Sequence, residues 1–266
     1  MTGQAAQFVG AIPEHYDQFL GPRIFHGFAD DLAGRVAAME PCAVLELAAG
    51  TGILSRRLRD ALPPDCSLLA SDLNPPMLEQ AKRKFQANEN IGFESADATN
   101  LPYAAASFDA VACQFGVMFF PDKLRSYEEV LRVLKPGGRY LFNVWGSLTD
   151  NPFARVTHET VSGFFPDNPP GFYRVPFDYH DSDTIRQSLT RAGFTGVEVS
   201  RVTLDSPIPS ARDFATGLVF GNPLIDELHA RGGDPQQIRA AVAAAIEARL
   251  GETLTLQALV IEAGKG

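Results

Sequence analysis

The stretch Val44-Leu45-Glu46-Leu47-Ala48-Ala49-Gly50-Thr51-Gly52 constrains this chain more than any other. It opens as an apolar run with a β-branched residue, which predicts a buried strand. Two glycines separated by one residue end the run. In the following Ile53–Arg59 segment, Leu54 and Leu58 fall on one helical face. The unit is therefore strand, tight turn, helix. In an open α/β sheet such a turn lies at the carboxyl end of a strand, where ligands bind. Glycine permits positive φ there, and its missing Cβ lets a ligand lie against the backbone.

Several cofactor folds share such a turn, so the flanking residues must discriminate. A dinucleotide turn takes G-x-G-x-x-G or G-x-G-x-x-A, whereas here the register ends in Ser55. Glu46 stands at the end of the strand, where a carboxylate repels a pyrophosphate on the helix N-terminus and suits a positively charged ligand. A second strand is predicted over Cys66–Ser71, and Asp72 follows it, 26 residues beyond Glu46 (72 − 46). A carboxylate at this point accepts hydrogen bonds from both ribose hydroxyls of an adenosine-containing cofactor. Asn74-Pro75 supplies the next helix with a cap and a first-turn proline, which leaves Asp72 for the ribose. Asp97 follows a third short strand, Ile91–Ser95, and a carboxylate there accepts from an exocyclic amine such as adenine N6.

At 266 residues, 45% hydrophobic with 19 Phe, the chain suffices for one large α/β domain or a domain with a sizeable insertion. The formal charge of −9 argues against a nucleic-acid partner, which requires a basic face. No apolar run approaches the ~20 residues of a membrane helix, so no membrane span is expected. Met1–Gln7 lacks the basic and apolar regions of a signal peptide. Cys42, Cys66 and Cys113 are far apart and fall in predicted strands, as small buried residues without metal-ligand spacing. A cytoplasmic enzyme without a metal is expected.

Taken in order, residues 1–40 form N-terminal helices: one from Pro13 to Leu20, ended by Gly21-Pro22, and a second from about Arg23 to Met39. Tyr16 and Phe19 are candidate lid residues. Residues 41–146 form a cofactor-binding core of alternating strands and helices, including helices at Pro75–Ala87 and Asp122–Leu134 and strands at Ser107–Cys113 and Arg139–Trp145. The apolar segment Gln114–Pro121 is a candidate substrate wall, but Val117 and Phe120 are read as ordinary core. Residues 147–180 form an aromatic cap insertion, with a helix at Asn151–Phe165. Residues 181–205 return to the core through a helix at Ser182–Ala192 and a strand at Val197–Leu204. Residues 206–252 form a helical insertion, and 253–266 hold the last strand. Phe153, Phe165, Phe214 and Phe220 either line a cap over the cofactor edge or fill the space behind it. Strand–helix alternation throughout predicts a doubly wound, mostly parallel α/β sheet with helical cap insertions.

Five motifs occur in order: Glu46-Leu-Ala-Ala-Gly-Thr-Gly52, Asp72-Leu-Asn-Pro-Pro-Met77, Asp97-Ala-Thr-Asn-Leu-Pro102, Ser107-Phe-Asp-Ala-Val111 and Leu134-Lys-Pro-Gly-Gly138. Together they resemble the class I S-adenosylmethionine-dependent methyltransferases, in the bacterial small-molecule branch near the ubiquinone and menaquinone enzymes. The resemblance covers residues 40 to 146 strongly and the remainder weakly. It implies a seven-stranded sheet with the last strand antiparallel. It also implies S-adenosylmethionine as cofactor, whose ammonium and sulfonium suit Glu46. By the same resemblance Gly50 and Gly52 contact the cofactor, Asp72 holds the ribose, Met77 packs on the adenine, Asp97 and Ala98 sit beside it, and Gln114 and Phe115 border the methionine part. Ala48, Thr51 and Leu73 complete these motifs, and Tyr16 joins the set as a lid.

Methyl transfer from a sulfonium is an in-line displacement with a neutral leaving group, so positioning and exclusion of water supply most of the acceleration. The histidines, His15, His26, His158, His180 and His229, suit structural or exposed roles, and no catalytic residue is assigned. The expected partner is an apolar or aromatic small molecule, methylated on O, N or C. A nicotinamide-dependent oxidoreductase and a non-catalytic S-adenosylmethionine-binding protein on the same fold are the alternatives. The oligomeric state stays open, a homodimer included.

Overall fold

The computed structural model describes residues 7–266. A helical run comes first: α1 (Ile12–His15), a π-helical segment (Tyr16–Phe25) and α2 (His26–Ala37). Gly21-Pro22 does not end a helix as the sequence suggests. The wide π turn accommodates Pro22, whose ring would clash with the carbonyl four residues back in an α-helix. Gly21 is a contact point instead: a Cβ there would stand 3.0 Å from Ile53 Cδ1. We call Tyr16–Phe25 the strap.

The core follows as β1 (Ala43–Glu46), α3 (Ile53–Ala61), β2 (Ser67–Asp72), α4 (Pro75–Lys82), β3 (Ile91–Ser95), β4 (Phe108–Gln114), α5 (Lys123–Val133) and β5 (Leu134–Trp145). After it come α6 (Pro152–Ser162), α7 (Ser182–Ala192), β6 (Thr195–Pro207), α8 (Ala211–Phe220), α9 (Leu224–Ala230), α10 (Pro235–Arg249) and β7 (Thr253–Gly264). Among the described residues seven strands form one sheet in the order β3-β2-β1-β4-β5-β7-β6. All neighbouring pairs from β3 to β5 are parallel, and β7 runs antiparallel to both of its neighbours. The expected doubly wound sheet with its last strand antiparallel is what the chain forms.

Helix α4 stops at Lys82, short of the expected Ala87, and Asn74 precedes it without a side-chain cap bond. Cys66 and Cys113 are buried, but Cys42 is exposed, contrary to expectation, because it precedes β1 at the amino edge of the sheet. The central strands β1, β4 and β5 are nearly continuous apolar runs buried on both faces, with Val44, Leu45, Ala110, Val111 and Leu141 fully buried, whereas the edge strands β3 and β6 are half-buried or exposed. Chain order reverses between β1, which leads to β2 on one side, and β4 on the other. Ligands bind at the carboxyl ends of the strands flanking such a switch point.

Candidate active site

The loops after β1 and β4 are both forced into unusual backbone at this point. Ala48 (φ +51°) and Phe115 (φ +49°) adopt left-handed conformations that non-glycine residues seldom hold. They press against each other through Gly116, where a Cβ would stand 2.5 Å from Ala48 Cβ and 2.7 Å from Cys113 Sγ. Gly50 (φ +57°) and Gly52 (φ +79°) complete the turn. The two glycines have different surroundings. Gly50 faces the cavity, with Met77 Cε 3.5 Å from where its Cβ would be. Gly52 caps α3 and presses on α4, where a Cβ would stand 2.8 Å from that of Ala81, and it lines no cavity.

A cavity of about 240 Å³ opens at the switch point. Of the residues singled out in the sequence, Tyr16, Ala48, Gly50, Asp72, Leu73, Met77, Asp97, Ala98, Gln114 and Phe115 line it. Glu46 and Thr51 line a small adjoining recess of about 20 Å³, which Tyr16, Ala48, Gly50 and Gln114 share. Asp72 is 6% exposed. Its Oδ2 accepts from Gly50 N at 2.8 Å, and its Oδ1 accepts from Asn74 N at 2.7 Å. Burial raises its pKa, and these N–H donors oppose the rise. Oδ1 also accepts from Asn74 Nδ2 at 3.2 Å, so it is Oδ2 that retains a lone pair for a further donor. Asp97 is exposed, and its Oδ1 is folded back onto Thr99 N (2.8 Å) and Oγ1 (2.7 Å). Leu73 is 58% exposed at the cavity mouth.

The strap closes the cavity from above. Tyr16 stacks on Phe25, with ring centroids 4.9 Å apart. Asp17 anchors the strap to the glycine turn: Thr51 Oγ1 donates to its Oδ1 at 2.7 Å, and the Lys84 ammonium pairs with the same oxygen. Nothing in the sequence pattern signals this latch, because its three members are distant in sequence and ordinary in type.

Two buried acceptors around the recess lack partners. Glu46 is 1% exposed and its Oε2 has no hydrogen-bond donor. Burial pushes its pKa up to about 8, and the Asp72 charge adds to the rise. Gln114 Oε1 is likewise buried without a donor. Unmet acceptors of this kind are costly to bury and call for a donor ligand. An ammonium beside Glu46 and Gln114, with ribose hydroxyls on Asp72, matches S-adenosylmethionine, so the residues fit that cofactor. A pyrophosphate fits them poorly.

Away from the two carboxylates the cavity wall is aromatic. Phe115 stacks on Trp145 at 4.0 Å and 12°, and Trp145 in turn meets Phe153 and Phe177. Of the expected cap residues Phe153 lines the cavity, Phe214 packs behind it at 5.9 Å, and Phe165 and Phe220 lie outside. Val117 is fully buried core as expected, whereas Phe120, also read as core, is only partly buried and lines the cavity. Phe25, Phe172 and Trp145 are wall residues that pattern reading missed. Their signal was only the aromatic density of their segments. Among the described residues no group of His, Cys, Asp and Glu is arranged to hold a metal ion, and no helix is long and apolar enough to cross a membrane.

The methyltransferase domain family matches residues 44–138, the strand-turn-helix core carrying these loops. The demethylmenaquinone methyltransferase of Deinococcus radiodurans is 39% identical over 142 residues, 52% of this chain and 58% of that protein. The chain thus spans little more than half the length of that relative. The ubiquinone/menaquinone biosynthesis C-methyltransferase UbiE of Ectopseudomonas mendocina is 30% identical over 60% of this chain and 68% of its own length. Among solved structures, the YcgJ protein of Bacillus subtilis superposes with a TM-score of 0.58 at 18% identity, covering 90% of this chain and 99% of that one. The phosphoethanolamine N-methyltransferase 2 of Haemonchus contortus does so with a TM-score of 0.61 at 16% identity, covering 95% of this chain and 57% of that one. These structures share the fold. With the motifs, the sheet order and the curated relatives in agreement, the chain belongs to the class I S-adenosylmethionine-dependent methyltransferases, near the ubiquinone/menaquinone enzymes.

Proposed function

We propose that this methyltransferase acts on an apolar, ring-bearing small molecule. The observation that carries the reading is the stacked wall of Phe115, Trp145 and Phe177, continuous with the cavity floor where Asp72 and Gly50 stand. Offset aromatic faces of this kind favour a planar apolar guest.

Bound in the site, S-adenosylmethionine supplies an electrophilic methyl group on a positively charged sulfur. The chain's own residues do the rest. Asp72 orients the ribose through a carboxylate already fixed by Gly50 N and Asn74 N. Glu46 and Gln114 take the ammonium. Met77 and Ala98 supply apolar surface at the adenine end. Tyr16 and the strap exclude water from above, and the aromatic wall sets the acceptor's approach.

The curated relatives are named for demethylmenaquinone and for ubiquinone and menaquinone biosynthesis, so a reduced quinone ring is the first acceptor to try. The test incubates the chain with S-adenosylmethionine and a panel of acceptors and measures S-adenosylhomocysteine by mass spectrometry. Turnover of hydroquinones and phenols above phosphoethanolamine and histamine is expected. A preference for the charged acceptors overturns the reading. Cofactor binding without turnover of any acceptor favours the non-catalytic alternative. A nicotinamide-dependent oxidoreductase is set aside by the family assignment and by the buried Glu46 carboxyl, whose Oε2 lacks a donor.

A further inference from the structure

Helix α5 carries three cations, and one of them lacks the usual partner. Arg125 and Arg132 pair with Glu128 and Glu129 about one turn away. Lys123 stands at the first helical position, where the helix dipole disfavours a cation, and no carboxylate of the described residues forms an ion pair with it. Asp122, the N-cap, turns its carboxylate to Arg125 N instead, at 2.9 Å. Lys123 is half-buried, burial lowers its pKa, and no neighbouring charge offsets the drop. Burying an ammonium without an anion is costly, so helix formation does not account for it.

The contacts Lys123 does make lie on two other segments. Its Nζ donates to Met118 O at 3.2 Å and to Phe120 O at 3.1 Å. The ammonium also stands over the ring of Tyr179, 4.9 Å from the centroid. A 3.0 Å hydrogen bond between the Tyr179 and Tyr127 hydroxyls fixes that ring in turn. Met118, Phe119 and Phe120 line the cavity and Lys123 does not, so the ammonium grips their turn from behind. The turn's own backbone bonds, Phe119 N to Gly116 O and Phe120 N to Val117 O, are local and do not fix where it sits. Tyr179 follows the Phe172–Phe177 turn, which reaches the cavity through Phe172 and Phe177. The two segments meet where Phe119 stacks on Phe172, with ring centroids 6.4 Å apart. One cation thus holds both sides of that contact.

We propose that Lys123 is a positioning residue for the acceptor: through Met118 O, Phe120 O and the Tyr179 ring, its ammonium sets the spacing between the wall after β4 and the Phe172–Phe177 turn. This deepens the ring-acceptor reading above and rests on it. Charge-assisted hydrogen bonds and a cation over an aromatic face are stronger than the neutral contacts a loop would otherwise make. In-line transfer is sensitive to such placement, a shift of about 1 Å costing on the order of a hundredfold in rate.

The test separates wall geometry from folding and from cofactor binding. Titration calorimetry measures S-adenosylhomocysteine on the whole chain, then 1-naphthol on that complex. Amide exchange is followed at Phe119 and Phe120. Lys123→Met keeps the length and removes the charge, whereas Lys123→Arg keeps the charge and the donors. In Lys123→Met, 1-naphthol is expected to bind about tenfold more weakly and the two amides to exchange about tenfold faster, while S-adenosylhomocysteine stays within about twofold. Lys123→Arg is expected to bring both back to within about threefold of wild type. Unchanged 1-naphthol affinity or unchanged exchange in Lys123→Met overturns the proposal. So does a parallel loss of S-adenosylhomocysteine affinity, which marks a general loss of structure. A Lys123→Arg variant as weak as Lys123→Met overturns it too, since the charge is then idle. If 1-naphthol does not bind the wild-type complex, the ring-acceptor reading itself fails, and the proposal with it; the other adverse results strike the proposal alone.

Discussion

The Glu46 carboxyl is buried with Oε2 unpaired, and burial lifts its pKa to about 8, so it holds its proton at neutral pH in the free protein. A cation bound beside it favours the ionised form and lowers that pKa. Cofactor binding at pH 7 is therefore expected to release close to one proton. Affinity should rise with pH and level off above about 8. Titration calorimetry in buffers of different ionisation enthalpy measures the proton directly, and Glu46→Gln should abolish both the release and the pH slope. The sign for stability is opposite. The folded pKa lies above the model-peptide value of 4.5, so the folded state binds the extra proton. Stability is full below about 4.5 and falls as pH rises toward 8, by up to about 1.4 kcal/mol per pH unit. Glu46→Gln should thus raise the melting temperature at pH 8 more than at pH 5. Gly52 makes a different prediction. It holds φ +79° and leaves 2.8 Å between an added Cβ and Ala81, so Gly52→Ala meets backbone strain and overpacking together. A loss of about 1–3 kcal/mol is expected in denaturant unfolding. Gly50→Ala meets the backbone strain of φ +57° without the overpacking, so it should cost less stability than Gly52→Ala and lower cofactor affinity as well.

At the scale of elements, the strap packs mainly on helices, α8 and its chain neighbours α1 and α2 above all, and meets the sheet less, chiefly at β6. Its polar hold on the glycine turn runs through Asp17, which takes both Thr51 and Lys84. The Asp17 and Lys84 side chains are 33% and 25% exposed, so solvent screens their pairing, and a net contribution of about 1 kcal/mol is reasonable for the latch. Asp17→Ala should speed hydrogen exchange at strap amides roughly fivefold and weaken S-adenosylhomocysteine by a similar factor. Amides of β4 should exchange as before. Unchanged exchange in the strap would show that its apolar contacts, such as Leu20 against Gly217, hold it alone. The strap also marks where sequence reading stops. The core elements were legible because strand and helix periods alternate cleanly from Val44 to Trp145, with Gly-Thr-Gly and Pro-Gly-Gly as punctuation. Gly21-Pro22 carries the same punctuation and means the opposite. There the chain continues as a π helix, because the glycine is needed against Ile53 and the wide turn tolerates the ring. Asp72 and Gly50 were legible one by one as strand-end ligand residues, but the bonds that tie Asp72 to Gly50 and Asn74 across two loops were not. The latch and the aromatic wall were not, since distant segments meet there by tertiary packing with no local signature.

In the whole molecule the last insertion is an excursion from a hairpin. Pro207 of β6 pairs with Thr253 of β7, so α8, α9 and α10 leave and rejoin the sheet at one point. Of these, α8 packs on the strap, α9 meets the Phe172–Phe177 turn and α10 packs on α8 and α6, which together roof the cavity. Trp145, the single tryptophan, stands where these layers meet. It touches Phe25 and Phe28 of the N-terminal run, Phe115 after β4, Phe153 of α6 and Phe177 of the turn. Its fluorescence thus reports strap, sheet and roof together, while far-UV circular dichroism reports the elements themselves. A ligand that binds only the folded chain at 100 times its Kd stabilises by about 2.7 kcal/mol. For a chain of this size that is roughly 5–10 °C in Tm. If the strap and roof are one cooperative unit with the sheet, S-adenosylhomocysteine should move both transitions upward by the same amount. A tryptophan transition that precedes the dichroism change, and alone responds to the ligand, would mean that the roof melts from an intact sheet. The cavity would then be assembled only when the cofactor binds, and the strap would be its gate.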